Sequence, residues 1–171
     1  TYGDPVVQHI QLHKGLFKKI KYNTNYSEHY KANRELTLVD GQLGGKEFRD
    51  GDWQGFWNTH IDITIDLKKE TLFDSVSVHF YQYINSWIFS PIEIAFNVSN
   101  DSINWTNFGT IKKEDHISKR GKIIDEFSIF NSSKNPYRYI NLVATPLKVI
   151  PDWHEAAGNS TWLFIDEIIV K

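Results

Sequence analysis

The chain has no cysteine and no methionine among its 171 residues. Without thiols, disulfide staples and thiolate metal sites are excluded, and redox chemistry gives no clue to compartment. No apolar run reaches the ~20 residues that a helix needs to cross a bilayer. The net charge of −2 lacks the basic excess by which nucleic-acid binders hold phosphates, so nucleic acid is not an expected partner. Serine-elbow, phosphate-loop and HExxH motifs are all missing. So are internal repeats, low-complexity tracts and any sustained helical period. With neither a signal-peptide pattern nor an initiating methionine, the chain is expected to be a piece of a longer protein whose targeting segment lies outside it.

Aromatic residues are what the chain has in excess: 15%, with six tryptophans, beyond what a core of this size requires. Some rings are therefore expected at the surface, where they usually mark binding.

Turn signals separate short alternating segments along the rest of the chain. Residues 1–15, broken by Pro5 and Gly15, read as a linker remnant before a domain over residues 16–171. Residues 16–22 alternate apolar residues with Lys18, Lys19 and Lys21, as in a strand whose wet edge lysines protect. A helical turn is expected near residues 28–33 and a strand-like segment over 36–39. Residues 60–67 alternate cleanly, with Ile61, Ile63, Ile65 and Leu67 against Asp62, Thr64 and Asp66. Further strands are expected within 72–84, over 92–99 and 123–130, from 137, where Tyr139, Asn141 and Val143 share a face, and at the C-terminal end. Residues 100–105 form a hairpin turn that sends Trp105 and Phe108 onto the core, and 112–122 form a solvated charged loop. Strands without helices predict an all-β antiparallel β-sandwich or jelly roll.

One stretch, LVDGQLGGKEFRDGDWQGFW at 38–57, packs turn glycines, acids and two tryptophans into one loop. Asp40-Gly41 and Asp50-Gly51 are turn dipeptides, and loops of this length inside a domain are usually functional. Two other segments, SWIFSP at 86–91 and PDWH at 151–154, carry further aromatics. A sugar ring stacks its C–H face on Trp, while charged and amide side chains take its hydroxyls. Candidate ligand-binding residues are Arg49, Asp50, Asp52, Trp87, Asp152, Trp153 and His154. Trp53, Phe56 and Trp57 read equally well as core. Paired carboxylates (Asp50, Asp52) or a His–carboxylate couple (His154 with Asp152 or Glu155) meet no spacing that catalysis demands, so the domain is expected not to be an enzyme by itself. Membrane binding through Trp87 and Ile88 lacks the basic rim such surfaces use. Asp40 and Glu167 could offer carboxylates to a hard cation, although Asp in Asp-Gly is also a plain turn residue. Asp166-Glu167 is unusual, two charges inside an otherwise apolar final strand.

Taken in order, LVDG, FRDGDWQGFW, IDITIDL, SVSVHF, SWIFSP, FNVSNDSINW, YRYINLVA and PDWHEAAGNSTWLFIDEIIV resemble the discoidin or coagulation-factor 5/8 type C domains. These are close to the family 32 carbohydrate-binding modules, and the nearest likeness is to the C-terminal module of bacterial family 20 β-hexosaminidases (chitobiases). The resemblance covers residues 16–171. It implies an eight-stranded jelly roll of the galactose-binding-like type with ligand loops at one end. It also implies a structural Ca²⁺ between Asp40 and Glu167, helped by carbonyls near Thr37, Gly45 and Asp166. Gly44-Gly45 departs from the family, whose members tend to carry a Thr close before a Trp there. The function it implies is a non-catalytic module of a secreted or periplasmic glycoside hydrolase, a β-N-acetylhexosaminidase, binding terminal galactose or an N-acetylhexosamine weakly. The alternative is a module that packs on the parent catalytic domain without a sugar site.

Overall fold

The computed structural model describes residues 10–113 and 118–171. Part of the charged loop expected at 112–122, and the first nine residues of the lead-in, lie outside the described residues. Among the described residues nine strands form two antiparallel sheets. The larger sheet orders β1 (Lys19–Tyr22), β3 (Ile61–Thr71), β8 (Tyr137–Thr145), β5 (Glu93–Ser99) and β6 (Thr106–Lys112). The smaller orders β2 (Gln54–Trp57), β9 (Trp162–Val170), β4 (Ser75–Gln82) and β7 (Ile123–Phe130). The predicted antiparallel sandwich is present, with nine strands where the resemblance implied eight.

The core between the sheets follows from period-two alternation. Ile61, Ile63, Ile65 and Leu67 of β3 are buried, and meet Val76, Val78 and Phe80 of β4 and Ile140, Leu142 and Ala144 of β8. Each such side chain contributes roughly 1.5–3 kcal/mol by leaving water.

A β-bulge explains the acidic pair in the last strand. Val78 of β4 pairs with Ile168, but Phe80 pairs with Ile165, so Asp166 and Glu167 together stand opposite His79. The extra residue shifts the alternation by one. Leu163 and Ile165 face the core before the bulge, and Ile168 and Val170 face it afterwards. An unbulged strand would turn Glu167 into the core and Ile168 out of it.

Two segments differ from the reading of the sequence. Residues 36–39 are not strand-like but end a 3-10 turn, Arg34–Val39. Leu38 and Val39 are both fully buried, and a strand would send neighbouring side chains to opposite faces. From residue 10 the lead-in belongs to the domain rather than to a linker: the N–H of Gln11 donates to the carbonyl of Gly41 (2.8 Å) and that of Lys14 to Val170 (2.7 Å).

Candidate functional site

At one end of the sandwich, side chains from four separate segments build an aromatic cleft. Trp57 closes β2 and Trp162 opens β9, and the two are register partners with ring centres 4.9 Å apart. Trp87 lies nearly parallel to Trp57, at 6.3 Å and 26°. Its backbone is left-handed (φ 62°), a conformation uncommon for a bulky residue. It is held there from both sides: its N–H donates to Ile84 and its carbonyl accepts from the N–H of Trp162, each at 2.9 Å. Tyr30, carried by the 3-10 turn Glu28–Tyr30, meets Trp162 edge-on at 5.2 Å and Phe164 at 4.8 Å.

Of these rings Tyr30, Trp87, Trp162 and Phe164 line a cleft of about 370 Å³, together with Arg49, Asn85 and Ser86. The Arg49 guanidinium stands over the Phe48 ring at 4.9 Å, and it has no ion-pair partner among the described residues. A second depression, of about 610 Å³, shares Tyr30, Phe48, Arg49 and Trp162 with the first. Arg49 can therefore reach a ligand in either. The arrangement offers flat apolar faces beside a planar cation and amide groups, the combination that grips a sugar ring.

The loop at 40–53 is organised by Trp53, which is buried in the core rather than exposed. Its indole N–H donates to the Gly45 carbonyl (2.9 Å), and a Cβ on Gly44 would meet the ring at 2.2 Å. Gly44 is thus required by close approach. Asp50 ties the same loop, accepting from the N–H groups of Gly45 and Asp52 at 3.1 Å each. Asp52 is raised above the usual carboxylate range by burial and then by the neighbouring Asp50.

Of the seven candidate binding residues, the structure puts Arg49 and Trp87 in one cleft; Asp50 ties the loop that carries Arg49, and Asp52 lies in a separate depression with Thr37 and Asp40. Asp152, Trp153 and His154 lie on another loop and do not line that cleft. His154 is 8% exposed. Its Nδ1 accepts from the N–H of Ala156 (3.0 Å), so Nε2 carries the proton and donates to the Ile84 carbonyl (3.1 Å). Neither nitrogen is left for a hydroxyl. Trp153, 47% exposed, packs edge-on against His154 at 5.8 Å. Sequence reasoning missed Tyr30 and Trp162. The signal for Trp162 was its place, a large ring at the first residue of a strand that leaves an aromatic loop.

The residues suggested for Ca²⁺ are committed to other partners, although the Asp40-Gly41 turn lies against Glu167. Asp40 accepts from the N–H of Gln42 and from Asn33, both at 2.9 Å. Thr37 gives its hydroxyl to the Lys31 carbonyl at 3.3 Å, and the Gly45 carbonyl is taken by Trp53. The bulge turns Asp166 away toward Gly44 N–H (2.9 Å) and His79 (3.4 Å). Burial raises Asp166, and this carboxylate in turn raises His79.

Glu167 instead meets His13. The His13 Nδ1 accepts from the N–H groups of Gly15 (3.1 Å) and Val170 (3.3 Å), so Nε2 carries the proton and donates to Glu167 Oε1 at 2.7 Å. Burial lowers His13 to about 4 and raises Glu167 to about 9. Glu167 Oε2, with no hydrogen-bond partner, is one donor a cation could use. Ca²⁺ needs about six to eight oxygens. No group of three or more acidic or histidine side chains that could hold a metal occurs among the described residues. As arranged, this donor set does not fit Ca²⁺.

No family model and no curated protein matches the chain. Solved structures do match over nearly its whole length. CpGH89CBM32-4 of Clostridium perfringens, solved in complex with GlcNAc-α-1,4-galactose, superposes with a TM-score of 0.55 at 15% identity, over 99% of this chain and 100% of its own. The chitosan-binding module 1 from a chitosanase/glucanase of Paenibacillus sp. IK-5 gives 0.58 at 15% identity, over 94% and 99%. The lectin domain of lectinolysin, complexed with Lewis B antigen, gives 0.55 at 13% identity, over 95% and 98%. At these identities the likeness is one of fold: the chain is a two-sheet antiparallel sandwich, a jelly roll like that of CpGH89CBM32-4.

Proposed function

We propose that this chain is a non-catalytic carbohydrate-binding module that takes a terminal galactose or N-acetylhexosamine in the Trp87–Trp162 cleft. The observation that carries this is that Tyr30, Trp87 and Trp162 line one cleft with Arg49, Asn85 and Ser86, and that Trp57 stacks on Trp87. Supporting it, relatives in fold are named for sugars, and one ligand holds both N-acetylglucosamine and galactose. The module would serve a secreted or periplasmic glycoside hydrolase of the β-N-acetylhexosaminidase type. Affinity would be weak, about millimolar to micromolar, because an open cleft buries little of a well-hydrated ligand. A glycan-array screen tests the reading. Binding to galactose- or hexosamine-terminated glycans that Trp87→Ala or Arg49→Ala abolishes supports it, and silence from a folded chain overturns it.

A second reading rests on Trp153 and Val149, 47% and 54% exposed and outside the cleft. These apolar groups suit packing against the parent's catalytic domain. Trp153→Ala should then weaken association with that domain and leave glycan binding unchanged.

A further inference from the structure

The outer face of the five-stranded sheet carries a feature independent of the aromatic cleft. Lys21 of β1 pairs with Thr64 of β3, Thr64 with Asn141 of β8, Asn141 with Asn97 of β5, and Asn97 with Asn107 of β6. One row of polar side chains therefore crosses all five strands. Its amides are mutually bonded: Asn107 donates to Asn97 (3.4 Å), Asn97 to Asn141 (3.0 Å), and Asn141 to Asp62 (2.8 Å). Asn is disfavoured in strands, and a solvated face has no need of three in register.

A groove of about 620 Å³ runs over Lys21, Thr64, Asn141 and Asn97 of this row, and Tyr139 and Trp105 also line it. Trp105 was expected in the core, yet it is 39% exposed and lines the groove. The hairpin before it is rigid: Asp101 accepts from the N–H groups of Ile103 (2.9 Å) and Asn104 (2.8 Å). Charge in the groove is uneven. Asp66 is neutralised by Arg138 through two bonds of 2.9 and 3.0 Å and Asp62 is engaged by the amides of Asn23 (3.0 Å) and Asn141 (2.8 Å), while Lys19 and Lys21 have no ion-pair partner among the described residues.

We infer that this sheet face is a second carbohydrate site, which takes an extended acidic glycan of uronic-acid units. A carboxylate of the chain lies against Lys19 and Lys21, the amide row takes hydroxyls, and a pyranose face stacks on Trp105. An extended chain suits the groove because the row spans the whole sheet, whereas the cleft at the end of the sandwich has room for a terminus.

The test is an NMR titration of the ¹⁵N-labelled chain with a mannuronate hexamer and with neutral mannohexaose. The expected result is that the uronide shifts the Trp105 indole N–H and the amides of Asn97, Asn107 and Asn141. Trp105→Ala should weaken uronide binding about tenfold, the scale of one lost base-like ring stack. The double change Lys19→Gln, Lys21→Gln should remove the preference for the acidic over the neutral hexamer. These shifts should persist in Trp87→Ala, which separates this site from the cleft. Absence of groove shifts with either hexamer overturns the site, as does their loss in Trp87→Ala. Equal affinity for the two hexamers overturns the acidic specificity.

Discussion

The aromatic cleft and the sheet face present two surfaces of one sandwich that are held in place by different means. In the cleft, Tyr30, Arg49, Trp87 and Trp162 come from segments far apart in the chain, and all but Trp162, which opens β9, lie on turns and loops outside the sheets. On the sheet face, Thr64, Asn97 and Asn141 inherit their positions from strand pairing, which repeats along β3, β8 and β5. A surface built from loops can be dismantled by one change in its support. One built from register spreads the same burden over many backbone bonds.

The largest expected effect follows from that contrast. Trp53→Ala removes the ring around which the 40–53 loop is wound, and should cost about 3–5 kcal/mol in urea unfolding, with loss of cleft binding. Gly44→Ala should follow it at roughly 1–3 kcal/mol, since a Cβ cannot fit beside that ring. Asn97→Ala, by contrast, deletes one link of the amide row and should cost about 0.5–1.5 kcal/mol. If Asn97→Ala destabilises as much as Trp53→Ala, the distinction between the two surfaces fails.

A pH titration of stability sharpens the comparison at the edge where neither surface lies. Between pH 4.5 and 6.5, His13, lowered to about 4, makes stability rise with pH, while Glu167, raised to about 9, makes it fall, so the two offset. Above 6.5 the His13 contribution is complete, and Glu167 alone continues to lower stability as pH climbs toward about 9. His79, raised by Asp166, acts in the same direction. The melting temperature should therefore decline across this window, and Glu167→Gln should flatten the decline; an unchanged slope would remove Glu167 as its cause. Smallest of all, chelator or added Ca²⁺ should leave the melting temperature where it was. A rise on adding Ca²⁺ would mean that Asp40 and Glu167 rearrange into a site that they do not form here.

Much of the sandwich was legible in the sequence. Ile61 to Leu67 alternate because one face of β3 meets the core and the other meets water, and the same logic exposed Asp62, Thr64 and Asp66 and put Tyr139 and Asn141 on one face of β8. β2 was hidden because Gln54, Gly55 and Phe56 are all buried, so no alternation marks them. Trp153 and His154 looked like a binding pair by composition, but a ring's exposure depends on what its loop packs against.

What the sequence determined by itself was the class of fold, since period-two patterning leaves no stable alternative to sheets that bury one face. It also showed that aromatic rings outnumber what the core needs. Tertiary structure decided which of those rings share a cleft, that a bulge gives Asp166 to His79 and Glu167 to His13, and that three asparagines from separate strands form one row. Local pattern is written in neighbours along the chain, whereas these groupings depend on register and loop closure between residues far apart in it.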